Sequence, residues 1–429
     1  MPLELPTSKK QILDIQSTRK RVAVERALAS PFHKNRIPAD IDLDRLDDPK
    51  EWSKIPILDK EMLRAIPPQD FLTHFCNAPR KDIAELWRSG GSTGAPLFYP
   101  RTFEDMKYGR LSFARVFECA GASAEDTAHV SFPLGIHPVG TLMARAAQSL
   151  GIGVNWAGAG NSTPSQAQIN LLKMLEPSIW MGMSSYGLHL ANMAEAEGID
   201  LANGSVKTLI CSAEQVTNAK RRKIENIWGA ELYDGFGMTE AGMMGCEGNA
   251  HDGFHIFTDM YFIEVLDEET LEPVPEGEPG TLVVTPLWTN NATPFIRWNS
   301  GDIVTWRTEG NSTGPYSVFP LVKHTHRTAG FFKVRGVNMN HTEFEDFMFG
   351  DDNIADFKVE LSTRDDLEHL DVFVEVRGDM PADQINDQLK TNIRNTFEVT
   401  AGVNILERGS LAQEFEQSIK AQRFLDKRI

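Results

Sequence analysis

Cysteine is scarce in this chain of 429 residues, with Cys76, Cys119, Cys211 and Cys246 standing far apart. Such spacing excludes a CxxC redox or zinc pair and a dense disulfide framework, so buried reduced thiols are expected. Cys246, His251 and His255 form at most a partial zinc set, because a fourth ligand at metal spacing is missing. Positive charge is also in deficit: 43 Lys and Arg stand against 60 Asp and Glu, a net charge of −17. A surface this acidic argues against nonspecific binding to nucleic acid or anionic membranes, while leaving room for a locally basic phosphate site. No apolar run approaches the length of a membrane span. The first ten residues, MPLELPTSKK, lack the apolar core of a signal peptide, so a cytoplasmic protein is expected. Internal repeats and low-complexity tracts are absent as well.

The composition that remains, 41% hydrophobic and 24% charged, is that of a globular protein large enough for more than one domain. Up to about residue 90 the chain reads as helices and loops, broken at Pro67-Pro68. From residue 127 short apolar strands alternate with amphipathic helices. Strands are expected at 129–132, 153–156, 178–183 and 208–211, and helices at 141–150, 165–175, 185–197 and 218–228. That rhythm points to parallel βαβ units. Between 254 and 306 it gives way to short alternating strands, including 262–266 and 280–285, which is antiparallel or barrel-like material. The last hundred residues read as a separate α+β unit, with a strand at 370–376 and an amphipathic helix at 382–398. The boundary is placed at 327–330, leaving domains of 1–326 and 331–429.

Four clusters carry chemistry. Ser89-Gly90-Gly91-Ser92-Thr93-Gly94-Ala95-Pro96 is rich in glycine and hydroxyls, so its amides can approach an anion closely. It lacks the Gly-Lys-[Ser/Thr] ending of a Walker A loop, and the alternative is a flexible surface loop. Next comes Tyr233-Asp234-Gly235-Phe236-Gly237-Met238-Thr239-Glu240. Here Phe236 can stack on a base, Thr239 can bond a phosphate and Glu240 can hold Mg²⁺ through its oxygens. The alternative is a strand-to-helix turn with Thr239 as N-cap. In Ile296-Arg297-Trp298-Asn299-Ser300-Gly301-Asp302, a carboxylate at the end of a strand can accept from ribose hydroxyls, or else cap its own turn. Last, His326-Arg327 through Arg335-Gly336-Val337-Asn338 is a basic strand pair leading into the small domain.

In this order the clusters resemble the adenylate-forming superfamily of acyl-CoA synthetases, adenylation domains and luciferases, with its phenylacetate–CoA ligase branch the nearer match. The segments Ser212-Ala213-Glu214 and Ser418-Ile419-Lys420-Ala421-Gln422-Arg423 are similar to that branch too, and the likeness covers the chain past residue 80. It implies an α/β fold. A large N-terminal domain of αβαβα-type sheets with a small β-barrel-like part would precede a mobile α+β C-terminal domain, with 327–330 as the hinge. It also implies an ATP-dependent ligase that converts a small carboxylic acid to its acyl-adenylate and then to a coenzyme A thioester, using Mg²⁺.

By the same resemblance, Ser89, Gly90, Gly91, Ser92, Thr93 and Gly94 close over the phosphates. Ser212, Ala213 and Glu214, with Asp234, Gly235 and Phe236, line the adenine pocket, Asp302 holds the ribose, and Arg327 lies nearby on ribose or phosphate. Thr239, Glu240 and Lys420 serve catalysis, Glu240 as the metal ligand. Gly237 lies beside the acyl group.

The chain departs from the family's pattern at Ala95, where a lysine is usual, at Phe236 in place of tyrosine, and at Ala329-Gly330 in place of an acidic hinge pair. In the acyl-pocket region His137 stands where aromatic residues are common. It offers either a partner for a substrate hydroxyl or a core imidazole bonded to backbone. With Trp156 and Tyr186 as a compact wall, a small hydroxylated or branched acid is expected. Phenylacetate or another aryl acid, transfer to a carrier protein or amine, and an inactive nucleotide-binding regulator are the alternatives. A homodimer is left open.

Overall fold

The computed structural model describes residues 3–88, 97–327, 331–335, 337–364, 367–378, 381–416 and 423–428. The phosphate loop at 89–96, the hinge residues 328–330 and Lys420, within 417–422, lie outside the described residues, as does the side chain of Arg327. The chain gathers into two compact units, each built from separate stretches of sequence. The first comprises Met1–Asp126, Leu134–Val154 and Tyr233–Thr328; the second comprises Thr127–Pro133, Asn155–Leu232 and Ala329–Ile429.

The first unit opens with the helix Lys9–Leu28, whose N-cap Ser8 accepts from the Gln11 amide. Its buried face, Ala23, Val24 and Ala27, packs with Trp52, Ile55 and Ile296. The strands Ile83–Arg88 and Phe98–Thr102 pair antiparallel on either side of the 89–96 segment. Thr102 then starts the helix Phe103–Cys119 with a capping box shared with Asp105, which satisfies two otherwise orphaned amides. Further along, Tyr261–Leu266, Gly280–Pro286, Trp298–Arg307, Leu321–Arg327, Phe254–Ile256, Gly242–Glu247 and Glu231–Met238 pair antiparallel in that linear order. Of the two readings of this region, the antiparallel one is observed. The helix expected from residue 141 begins earlier, as Pro138–Ser149, because proline suits a first helical position that needs no amide.

The second unit pairs Thr127–Val130, Ile179–Gly182 and Thr208–Ser212 in parallel. Between them run the helices Ser165–Leu175 and Ser184–Ala196, and Asn218–Trp228 follows. The same unit holds the hairpin Phe331–Val334/Val337–Asn340, the helix His341–Phe349 and a four-stranded sheet. In that sheet Ala401–Leu406, Leu367–Val376, Ile354–Arg364 and Phe424–Asp426 lie side by side, backed by the helix Ala382–Phe397. One apolar core runs through the unit, from Trp180, Leu190 and Trp228 to Phe344, Phe357 and Val372.

Candidate active site

The second motif does not lead into a helix. Glu231–Met238 returns directly as the antiparallel strand Gly242–Glu247, with Thr239 and Glu240 in the connecting turn. Gly237 makes the tight return feasible, since a Cβ there would lie 2.6 Å from the Gly242 carbonyl oxygen. The turn is held from the strand Phe98–Thr102. Arg101, fully buried, donates through Nη2 to the carbonyls of Thr239 and Glu240, at 2.7 Å each. Its Nη1 donates to the Thr289 carbonyl at 3.0 Å and the Thr293 hydroxyl at 2.8 Å, and its guanidinium carbon lies 4.5 Å from the Trp87 ring centroid. Burial lowers the Arg101 pKa. Tyr99, on the same strand, donates its hydroxyl to Glu240 Oε1 at 3.1 Å. Burial, followed by the Glu240 carboxylate, pushes the Tyr99 pKa upward and keeps it a donor.

Glu240 thus has one carboxyl oxygen fixed by a phenol. This donor set fits Mg²⁺, which keeps most of its waters and takes one or two carboxylates together with substrate phosphates. No cluster of three or more His, Cys, Asp or Glu able to hold a metal occurs among the described residues, and Cys246, His251 and His255 form none. The His251 Nδ1 lies 3.3 Å from Glu247.

Two predicted nucleotide contacts, Phe236 and Asp302, are linked through the His324 side chain. Phe236 stacks on Phe254, with centroids 5.3 Å apart, and faces the His324 ring at 6.4 Å. His324 Nε2 lies 3.2 Å from Asp302 Oδ1, and Arg327 is the backbone partner of Asp302 across the ladder. Asp302 is not at the end of its strand, as its turn-like neighbours imply, but inside Trp298–Arg307. Gly301, at φ 73°, absorbs the irregular step and the strand continues. Asp302 is 2% exposed. Asp234 donates its amide to Glu247 Oε2 at 2.9 Å, and Gly235 pairs with Cys246. His137 precedes the helix Pro138–Ser149 as its N-cap residue without making a side-chain cap bond, and it is half-buried.

In the second unit, Ser212 ends its strand and Ala213 turns the chain at φ 75°, a conformation that costs a residue with a Cβ about 1–3 kcal/mol. Glu214 points back to the start of Ser184–Ala196. It accepts from the Ser184 hydroxyl at 2.6 Å, the Ser185 hydroxyl at 2.9 Å and the Ser185 amide. Burial would raise its pKa, but the Lys220 charge and these hydrogen bonds outweigh it and hold the carboxyl down at about 2. Tyr186 packs against the unit's apolar core and has a polar tip. Its hydroxyl meets Ser165 Oγ and the Gln168 amide, each at 2.9 Å, and its ring stacks on His189. Trp156 is 40% exposed.

Residues 11–287 match the model of the AMP-binding enzymes, and residues 336–428 match that of the AMP-binding enzyme C-terminal domain. The chain belongs to the AMP-binding enzymes. Among its relatives, the phenylacetate–coenzyme A ligase of Aromatoleum evansii is 28% identical over 361 residues, 82% of this chain and 80% of that protein. The phenylacetate–coenzyme A ligase of Pseudomonas putida is 28% identical over 335 residues, 77% of this chain and 73% of that one. A crystal structure of 2-hydroxyisobutyryl-CoA ligase, in the postadenylation state with 2-HIB-AMP, shares the fold at a TM-score of 0.86. Its sequence identity is 22%, with 99% of this chain and 91% of that one covered. The mixed α/β class expected from the motifs is therefore the fold of this AMP-binding enzyme.

Sequence reasoning overlooked Tyr99, Arg101 and His324, each of which touches a predicted site residue. Arg101 and Glu240 are 139 residues apart, and no local pattern marks an arginine whose acceptors are distant carbonyls. A buried polar network was also overlooked. Asn155 meets His129 Nδ1 at 2.9 Å, His129 Nε2 meets Gln168 Oε1 at 3.2 Å, and the Ser131 hydroxyl donates to the same oxygen at 2.7 Å. Through Gln168 this network of the AMP-binding enzyme reaches the Tyr186 hydroxyl. A cavity of about 350 Å³ lined by His189, Asn192, Met193, Asp356, Glu375 and Arg408 holds none of the predicted site residues.

Proposed function

We propose that this AMP-binding enzyme is an ATP-dependent acid–CoA ligase forming an acyl-adenylate and then a thioester. The observation that carries the reading is the turn at Thr239 and Glu240, locked from behind by Arg101 and Tyr99, in the same unit as the Phe236–His324–Asp302 row. Family membership and the named ligase relatives support it.

In the first step a carboxylate oxygen of the acid attacks the α-phosphorus of ATP and pyrophosphate leaves. In the second, the coenzyme A thiolate attacks the acyl carbon and AMP leaves. Residues 89–94 would supply amides and hydroxyls to the phosphates, while Phe236 stacks on the base and Asp302 holds the ribose. Ser212, Ala213, Asp234 and Gly235 would border the base, and Glu214 keeps that border in place through Ser184 and Ser185. Asp302 is covered by His324, so ribose binding requires the imidazole to give way or to share the carboxylate. Glu240 would hold Mg²⁺, whose chemistry when bound is to neutralise charge on the phosphate oxygens. Lys420 would add positive charge between the acid and the α-phosphate. Residues 331–429 would act as a mobile domain hinged at 327–330, a motion that requires their apolar contacts with residues 155–232 to part, in the cytoplasm where ATP and coenzyme A are available.

Replacing Glu240 with glutamine is expected to raise the Mg²⁺ concentration for half-maximal adenylation by about tenfold or more, the scale on which metal sites respond to a lost supporting group. An unchanged Mg²⁺ titration would take Glu240 out of the metal site.

For the acid, His137, with Trp156 and Tyr186, favours a small hydroxylated or branched substrate over an aryl acid. A polar partner shielded from water discriminates strongly for a substrate hydroxyl, and the half-buried His137 would supply one once the acid covers it. The phenylacetate ligase relatives favour the aryl reading. A panel of acids assayed for pyrophosphate release with ATP, Mg²⁺ and coenzyme A separates the two. Short 2-hydroxy acids are expected to give the highest kcat/KM, and higher turnover of arylacetates would reject the assignment. Loss of acyl transfer without coenzyme A, and its restoration on adding the thiol, would exclude transfer to a carrier protein.

A further inference from the structure

Within the first unit, the pairing of Trp298–Arg307 with Leu321–Arg327 is irregular at one step. Ile303 pairs with His326 and Val304 with His324, so Thr325 is an extra residue. The Thr325 hydroxyl donates to the Ile303 carbonyl at 2.6 Å and holds this bulge. In an unbroken ladder His324 would lie on the face opposite to Asp302, because side chains alternate along a strand. The added residue turns His324 onto the Asp302 face, and bulges recur where a side chain is re-aimed. The imidazole then meets Asp302 Oδ1 through Nε2 at 3.2 Å and lies beside the Phe236 ring.

That contact assigns the two ring nitrogens. A carboxylate only accepts, so Nε2 carries the hydrogen, and Nδ1 of the neutral ring is an acceptor. Nδ1 is buried and has no hydrogen-bond partner among the described residues. Such an acceptor is costly in a fold, where nearly all buried polar groups are paired. The unused acceptor belongs to the same ring that holds Asp302, the residue proposed to take the ribose. A ribose presents two neighbouring hydroxyls, and each is able to donate. Asp302 can accept from one and Nδ1 from the other while the imidazole stays in place.

We propose that His324 is a second ribose-binding residue. Nδ1 accepts from one of the vicinal hydroxyls, and Nε2 keeps Asp302 aimed at the other. The imidazole thus shares the carboxylate and does not give way. This assignment rests on the ligase reading, in which Asp302 holds the ribose of ATP.

Two substitutions divide the ring between them. Glutamine places its amide where Nε2 stands, so His324→Gln keeps a donor for Asp302 and loses the Nδ1 acceptor. Asparagine places its amide at the Nδ1 position, so His324→Asn keeps that acceptor and gives up the donor. Calorimetry on the full-length chain gives the Kd for ATP, 2′-deoxy-ATP, 3′-deoxy-ATP and purine riboside triphosphate, which lacks the 6-amino group. The unaltered chain is expected to bind each deoxy analogue about tenfold more weakly than ATP, the scale of one lost hydrogen bond. In His324→Gln, ATP itself is expected to bind about tenfold more weakly, and one deoxy analogue to bind within about twofold of ATP. The penalty for the other analogue persists, because Asp302 still takes that hydroxyl. In His324→Asn the penalty erased by glutamine is expected to remain. Retention of both penalties in His324→Gln, or loss of both together, overturns the proposal. Loss of discrimination against the purine analogue alone also overturns it, since Nδ1 would then serve the base. Should His324→Gln fail to fold, His324→Phe keeps a ring beside Phe236 and is expected to lose the same single penalty, with retention of both again overturning the assignment. If the unaltered chain binds no ATP, the ligase reading falls and this assignment with it. ATP binding with both penalties intact in the variants rejects His324 alone.

Discussion

Arg101→Met is expected to destabilise the protein by on the order of 3 kcal/mol or more and to abolish adenylation in whatever fraction remains folded. The side chain is fully buried and donates to three carbonyls and one hydroxyl: Thr239, Glu240, Thr289 and Thr293. Methionine fills similar space but leaves all of these acceptors without their donor, and orphaned buried acceptors are costly. Two of them belong to the turn that presents Glu240, so the loss falls on the site as well as on the fold. Arg101→Lys separates the effects. It keeps a positive charge but not the planar fork, and so satisfies fewer of the acceptors. Its stability is expected to fall between those of the parent and the methionine variant, with adenylation still strongly reduced. Urea unfolding and pyrophosphate release at low temperature check both. Parental activity in Arg101→Lys would show that the turn does not depend on the fork.

Lys420→Ala is expected to depress acyl-adenylate formation by on the order of 100-fold or more while sparing ATP binding. The reasoning is electrostatic. As the carboxylate approaches the α-phosphorus, negative charge concentrates between two anions, and one ammonium group acts mostly on that transition state. A group that stabilises the transition state more than the ground state lowers kcat and leaves nucleotide affinity nearly intact. Nucleotide binding by calorimetry and single-turnover formation of acyl-adenylate separate the two quantities. Equal losses in affinity and rate would recast Lys420 as a binding residue, and an unchanged rate would remove it from the reaction. Thioester formation from supplied acyl-adenylate is expected to persist in this variant.

Much of the local architecture was legible because its signals are local. The apolar periodicity of residues 165–175 and 218–228 predicts helices, and they form helices with those bounds. The second is capped by Thr217, which accepts from the Lys220 amide, a cue carried by the residues themselves. The strand Gly153–Trp156 has the ends that its sequence predicts. Where long-range pairing competed with a local signal, the local signal lost. The run Asn299-Ser300-Gly301-Asp302 has the composition of a turn, yet pairing of Asn299 with Val283 and of Asp302 with Arg327 carries it through as strand. The same holds at Thr239, whose N-cap chemistry goes unused because the chain returns as Gly242–Glu247.

The candidate site divides along the same line. The amino-acid sequence by itself determined which chemical groups are available and in what order: the glycine- and hydroxyl-rich loop at 89–94, Phe236, Glu240, Asp302 and Lys420. These are groups whose chemistry is intrinsic to the side chain. It also determined the family, because several short motifs in one order are far more specific than any one of them. Only the tertiary structure decided which groups support them. Arg101 and Tyr99 hold Glu240, His324 pairs with Asp302, and Lys220 lies beside Glu214. Each of these supports acts through a hydrogen bond or charge contact that weakens steeply with distance, and most join residues far apart in the chain. Folding alone brings them within reach, and burial then strengthens each contact by removing the water that would compete for it.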